Sequence, residues 1–352
     1  MRSAEAFDFG VEGTGLVPLR GAGLTLLGQW RRIPAMGEDG RTQRILVPVG
    51  ARVRPDANTN RLSVRKSERG SMSLQMRVFH FCMGLVPPLL HSEAATEQMA
   101  LHAPQPAPMP ARMRRRFTAT CDKGITRVFP KRGLRSGGVL IYLHGGAYAY
   151  PMVAGQWGIV EGLIDRTGLP VIIPDYPLAP NHTAAEAFDV VQPIIDEAQA
   201  EFGRVIIFGD SAGGGLALSL AMQRRDAGAR QVDGLVLYAP WVDVTMTNPA
   251  IEDVQRRDRV LRVPGLAWAG RAWAGDLDPA DWRVSPLYGD PAGLPPIRVF
   301  QGDADIVCPD VIEFARKAAR AGVDVRLRVE PDGFHVYVLG VPTIPEAEAA
   351  LD

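Results

Sequence analysis

Lysine is nearly missing from this chain. Of 39 basic residues only four are lysine (Lys66, Lys123, Lys131 and Lys317), and 39 acidic residues bring the formal net charge to zero. The arginine skew reads as a bias of the coding sequence rather than as a phosphate-binding surface. Balanced charge calls for neither nucleic acid nor an anionic membrane as partner. Cysteine is equally scarce. Cys82, Cys121 and Cys308 are odd in number and form no CxxC or His/Cys cluster. That excludes a disulfide framework, speaks against a bound metal and fits a reducing cytoplasm. No apolar run approaches the ~18 residues of a membrane span. Residues 1–10 lack the basic-then-apolar order of a signal peptide. The expected protein is cytoplasmic, without stable membrane insertion.

What is present is core-forming sequence, since 46% of residues are hydrophobic. They are unevenly arranged. Over residues 1–71 neither a period of 2 nor one of 3.6 persists, which reads as a disordered leader or a non-native extension ahead of a start at Met72 or Met76. Residues 72–116 read as N-terminal helices and a connector. An apolar stretch at 76–90 suits a helix packed on the body, the other reading being a lid that meets lipid. Pro104, Pro106, Pro108 and Pro110 mark extended chain.

From residue 117 to 352 the pattern is regular. Short apolar runs at 125–129, 139–143, 171–173, 205–208, 235–239, 297–300 and 325–329 read as strands. Helical stretches at 156–166, 184–201, 212–226 and 311–321 lie between most of them. This alternation predicts an α/β domain: a buried, mostly parallel sheet with helices on both faces. Ligands bind such sheets at the carboxyl ends of the strands. One interval, 241–296, is too long for a plain crossover and holds Trp268, Trp273 and Trp282. It reads as a cap insertion at about 244–281.

Gly209-Asp210-Ser211-Ala212-Gly213 carries the most information. The G-x-S-x-G pattern lies between an apolar strand and a small-residue helix, the context that lifts a serine oxygen above a sheet. Serine needs a base, and the base needs an acid. Of six histidines only His335 follows Ser211, in a loop after the last strand, where Gly333 permits a tight turn. The acid belongs after the strand at 297–300. There Asp310 reads as a helix N-cap, and spacing leaves Asp303 and Asp305 equal. Oxyanion donors belong to an early strand-to-helix loop. His144-Gly145-Gly146-Ala147 follows the strand at 139–143, and Ala212 supplies a further N–H. His144 is expected to orient that loop.

These residues resemble the hormone-sensitive lipase group of α/β-hydrolases, the bacterial family IV esterases. His144-Gly145-Gly146-Ala147 is similar to its H-G-G-G motif, Asp175-Tyr176-Pro177-Leu178-Ala179-Pro180 to its D-Y-R-L-A-P segment, and Asp305-Ile306-Val307-Cys308-Pro309-Asp310 to its D-P-L-x-x-D motif. Phe334-His335-Val336 resembles its histidine loop. The resemblance implies an α/β-hydrolase fold with a helical cap. It implies a catalytic set of Ser211, Asp305 and His335, so it selects Asp305 over Asp303. It also implies an oxyanion hole of Gly146, Ala147 and Ala212 with Gly145 shaping the turn. The implied activity is hydrolysis of short- to medium-chain carboxylic esters without cofactor or metal. Alternatives on the same machinery are a lactonase, a steryl-ester hydrolase or an amidase; a non-catalytic binder is the rival outside enzymes. The implied partner is a small-molecule ester. Ala147, Pro177 and Asn181 depart from the family pattern, and a short last helix at 345–351 leaves the family's homodimer contacts open.

Overall fold

Valine, isoleucine and leucine concentrate in the strands. In a computed structural model of the chain the described residues are 29–36, 42–49, 62–66 and 72–352, except 86, 87 and 89. Two compact units divide it, 1–59 and 60–352. Within the first, β1 (Gln29–Met36) pairs antiparallel with β2 (Thr42–Val49).

The second unit runs β3 (Leu62–Lys66), α1 (Leu74–Met83), α2 (Glu93–Leu101), β4 (Phe117–Asp122), β5 (Ile125–Pro130), β6 (Val139–Leu143), α3 (Gln156–Thr167), β7 (Val171–Pro174), α4 (Ala184–Phe202), β8 (Val205–Asp210) and α5 (Ala212–Asp226). It continues through β9 (Gly234–Tyr238), α6 (Ile251–Gln255), α7 (Val263–Ala274), β10 (Ile297–Gly302), α8 (Cys308–Arg320), β11 (Val325–Glu330) and α9 (Pro345–Leu351). Nine strands form one sheet in the order β3-β11-β10-β9-β8-β6-β7-β5-β4. Pairs from β3 to β7 are parallel; β7–β5 and β5–β4 are antiparallel. This is the expected α/β-hydrolase sheet. Every residue of β6 and β7 is buried, as continuous apolar strands require when helices cover both faces.

Helix boundaries follow local chemistry. Gly168, at φ +68°, ends α3 in the left-handed conformation that an L side chain resists. Glu186 reaches back to the Thr183 N–H and closes the start of α4. In α8 the buried Val311, Phe314, Ala315 and Ala318 recur at helical spacing and turn one face to the sheet, against β10 and β11.

The structure departs from one expectation, for Asp310, and places parts of two other segments. The reading of residues 1–71 falls mostly outside the described residues, yet within it Leu62–Lys66 is an edge strand paired in parallel with β11. The sheet thus begins ahead of Met72. Of the apolar stretch at 76–90, residues 76–83 lie in α1, a helix packed on the body that buries Met76 and stacks Phe79 on Phe334 at 5.2 Å, while Leu74, Val78 and Phe81 are exposed. Asp310 is not an N-cap. Helix α8 starts at Cys308 after Val307, and Asp310 lies in its first turn, accepting from the Asn248 side chain at 2.6 Å. Burial pushes its carboxyl up to about 7.

The long interval between β9 and β10 has helices of its own, as its length implied. Helix α7 lies on α2. A Cβ at Gly265 would stand 1.9 Å from the Leu90 carbonyl oxygen, so only glycine allows that approach.

Candidate active site

Strands β11, β10, β9, β8 and β6 are parallel neighbours, so their carboxyl ends share one edge. Four loops leave that edge, bearing His335, Asp305, Ser211 and His144-Gly145-Gly146-Ala147.

Ser211 occupies the turn between β8 and α5 at φ +50°, ψ −119°. A non-glycine residue adopts this only when its surroundings force it. They do so through hydrogen bonds. The Ser211 N–H donates to Tyr238 O at 2.9 Å, and its carbonyl accepts from Gly214, Gly215 and Trp241 N–H groups. The flanking glycines make room. A Cβ at Gly209 would stand 2.4 Å from Gly213 O, and one at Gly213 would stand 2.0 Å from Leu143 O. The G-x-S-x-G pattern is therefore a packing requirement of this elbow.

His335 accepts from the Ser211 hydroxyl at Nε2, 2.8 Å away, and donates from Nδ1 to Asp305 Oδ2 at 2.8 Å. The tautomer follows from Asp305, which as a carboxylate can only accept. Burial disfavours charge on the ring. Asp305 outweighs it, with further help from Asp258 and Asp210, and the His335 pKa lies above its ordinary value. Asp305 is fully buried, held by Gln301 Nε2 at 2.8 Å on Oδ2 and by the Val307 N–H at 3.1 Å on Oδ1. Asp303 faces elsewhere, accepting from Arg257 at 3.1 Å and from the Asp332 N–H at 2.8 Å. The histidine loop turns at Asp332 and Val336, both at positive φ. Gly333 was expected to make that turn. Its part is instead close approach, since a Cβ on it would stand 2.9 Å from Gly302 Cα.

The loop after β6 carries three successive positive φ angles, Gly146 (+138°), Ala147 (+52°) and Tyr148 (+58°). Among the described residues the N–H groups of Gly146, Ala147 and Ala212 donate to no backbone carbonyl outside helices and strands. Gly145 differs. Its N–H is committed to Asp210 Oδ1 at 3.0 Å, so it shapes the loop. His144 donates from Nδ1 to Gly145 O at 2.8 Å and stacks on Tyr176. Burial pushes its pKa down to about 4, which keeps it neutral.

Sequence reasoning missed three residues here. Asp210 is buried and accepts from Tyr142, Gly145 and Gln156, which joins the elbow to the Gly145 loop. Its signal was an acid at the end of an otherwise apolar strand. Gln301 is a buried amide near the end of β10, a strand that also carries Arg298. Asp258, with no exposed surface, binds the Ile306 N–H at 2.9 Å, and nothing in its local sequence pointed to this. Among the described residues no three His, Cys, Asp or Glu side chains gather closely enough to hold a metal ion.

The family model described as alpha/beta hydrolase fold matches residues 140–339, which spans the Gly145 loop, the elbow, Asp305 and His335. The chain belongs to this family. An esterase of Acinetobacter venetianus is 33% identical over 218 residues, 60% of this chain and 72% of that protein. An ethyl acetate hydrolase of Pseudomonas putida is 30% identical over 228 residues, 61% of this chain and 71% of that protein. Among solved structures, a hormone-sensitive lipase from a metagenome library superposes with a TM-score of 0.66 at 25% identity, covering 80% of this chain and 96% of that one. The α/β-hydrolase described here is thus a carboxylic ester hydrolase of the esterase and lipase type, in the hormone-sensitive lipase group. No helix among its described residues is long and apolar enough to cross a membrane.

Proposed function

We propose that this esterase hydrolyses short- to medium-chain carboxylic esters through an acyl-enzyme on Ser211. The carrying observation is the unbroken chain from Asp305 to His335 to Ser211, with 2.8 Å at each link. Ser211 Oγ attacks the ester carbonyl as His335 Nε2 takes its proton. Asp305 holds the tautomer and balances the imidazolium. The carbonyl oxygen, now an alkoxide, lies against the Gly146, Ala147 and Ala212 N–H groups, where the start of α5 adds its dipole. His335 returns the proton to the departing alcohol. Water then enters and attacks the acyl carbon while His335 takes its proton, and His335 passes that proton to Ser211 Oγ as the acid leaves.

Residues 72–116 and 244–281 act as the cap over this edge. The packing of α2 on α7 and the stack of Trp273 on Tyr148 at 4.2 Å support that role, because Tyr148 directly follows Ala147. Tyr148, Trp241 and Trp273 are almost wholly buried and stack on one another directly after Ala147, which brings bulk to this end of the site. That favours small acyl groups. A relative named for ethyl acetate agrees.

Ser211→Ala tests the reading. It should abolish p-nitrophenyl ester hydrolysis and fluorophosphonate labelling with an unchanged thermal melt. Turnover near wild type in this variant would sink the assignment. A panel of esters of graded acyl length, with lactones and amides, then ranks substrates.

A further inference from the structure

A second carboxylate stands behind the acid loop. Asp258 lies between α6 and α7 without exposed surface. Its Oδ1 accepts from the Val260 and Leu261 N–H groups at 2.7 and 2.9 Å, an ordinary side-chain turn. Its Oδ2 does something else. It crosses 48 residues of sequence to the Ile306 N–H, the amide next to Asp305. The peptide between Asp305 and Ile306 is thus gripped by a residue of the 256–262 segment.

Charge makes this arrangement costly unless it has a use. Burial, and after it the charge of Asp305, push the Asp258 carboxyl up to about 6. Arg262 does not neutralise it, because its guanidinium binds the Asp258 and Leu261 carbonyl oxygens. Arg257 is engaged with Asp303 and Asp332. The Cys308 thiol, beside Asp305, is pushed up by burial and stays neutral. His335 is the group that profits. It faces Asp305 from the acid loop, Asp258 from the 256–262 segment and Asp210 from the end of β8, and all three favour its charged form.

We propose that Asp258 is a positioning residue for the ester hydrolysis. Its carboxylate ties the loop bearing Asp305 to the 256–262 segment, and it adds a buried negative charge that steadies His335 as the ring takes the serine proton. The inference rests on the Ser211–His335–Asp305 reading. It makes alignment of the acid depend on the seating of the 256–262 segment.

Asp258→Asn is the test, with the pH profile as readout. The variant keeps the shape and an oxygen for Val260 and Leu261, but it loses the charge and turns an NH2 toward the Ile306 N–H, which breaks the tie to the acid loop. We expect kcat to fall roughly tenfold or more, with KM within about twofold of wild type. The acid limb of kcat/KM should move to lower pH by roughly half a unit or more, because removing a nearby negative charge lowers the His335 pKa. A purely structural role would lower activity at every pH and leave the limb in place. That result overturns the proposal, and so does an unchanged kcat. Circular dichroism melts establish that the variant folds. If it does not, the wild-type profile decides: below about pH 6 the logarithm of kcat/KM should fall with a slope above one, since two protonations then remove activity. A slope of one throughout overturns the proposal. Fluorophosphonate labelling at Ser211 separates the two readings. Wild-type protein that fails to label removes the triad assignment itself, whereas labelled protein with an unmoved limb removes only the role of Asp258.

Discussion

Replacing Asp305 by asparagine puts the donor and acceptor logic of the site under direct strain. Three donors converge on this carboxylate: His335 Nδ1 and Gln301 Nε2 on Oδ2, and the Val307 N–H on Oδ1. An amide has one oxygen. If that oxygen stays on Val307, the new NH2 faces His335, and the ring must accept at Nδ1 and carry its proton on Nε2. It then cannot take the serine proton. Gln301 makes this outcome the easier one, because its Oε1 is buried without a partner and can turn to meet the new donor. If the oxygen faces His335 instead, the NH2 abuts the Val307 N–H, and a buried donor is left unmade at a cost of about 1–3 kcal/mol. The first arrangement should dominate. The expected loss in kcat is about 10³–10⁴-fold, or roughly 4–5.5 kcal/mol at 1.36 kcal/mol per tenfold. The assay is p-nitrophenyl butyrate hydrolysis, with Asp303→Asn as comparator. Asp303 holds only a partly exposed pair with Arg257 and the Asp332 N–H, and exposed pairs contribute about 0–1 kcal/mol. Its loss should leave kcat within about threefold of wild type. Asp305→Asn retaining a tenth of the activity, or Asp303→Asn falling as far, would refute the reasoning.

Two further substitutions probe the elbow. Gly213→Ala places a methyl 2.0 Å from the Leu143 carbonyl oxygen, a backbone atom of β6 that has no room to yield; soluble protein should be scarce, and what folds should not label with fluorophosphonate. Tyr142→Phe removes one donor from the buried Asp210, leaving Gly145 and Gln156. It should destabilise the protein by about 1–3 kcal/mol, read as a melting temperature lowered by roughly 2–4 °C per kcal/mol.

The parts of this fold that lie in the interior were legible as sequence, and the parts at its margins were not. Strands β6 to β9 each contain an apolar run, because a parallel strand covered on both faces has nowhere to place a polar side chain; β5, β10 and β11 are more mixed but keep enough valine, isoleucine, leucine and phenylalanine to be read as strands. Strand β4 escaped notice since only Phe117 of its six residues is buried. Strand β3, Leu-Ser-Val-Arg-Lys, is likewise too mixed to form such a run. At the site, Ser211 and His335 could be found from chain order, because each follows a recognisable strand. Choosing Asp305 over Asp303 needed the family resemblance; in the structure Asp305 accepts from the His335 ring, and Asp303 from Arg257 and the Asp332 N–H. Asp258 could not have been found at all. Its partner amide is 48 residues away, and no local pattern encodes a contact between two loops.

Glu346 carries a contact whose effect reaches the active site. Its carboxylate accepts from both the N–H and the hydroxyl of Ser73, each at 2.7 Å, so the last helix fastens the start of α1. Helix α1 in turn lays Phe79 on Phe334, the residue before His335. A short mechanical linkage thus runs from the carboxyl end of the chain to the neighbour of the ring. Arg166 secures that end through Glu348 and Asp352. A change at Glu346, far from Ser211 in the sequence, thus reaches the seat of the His335 ring through α1.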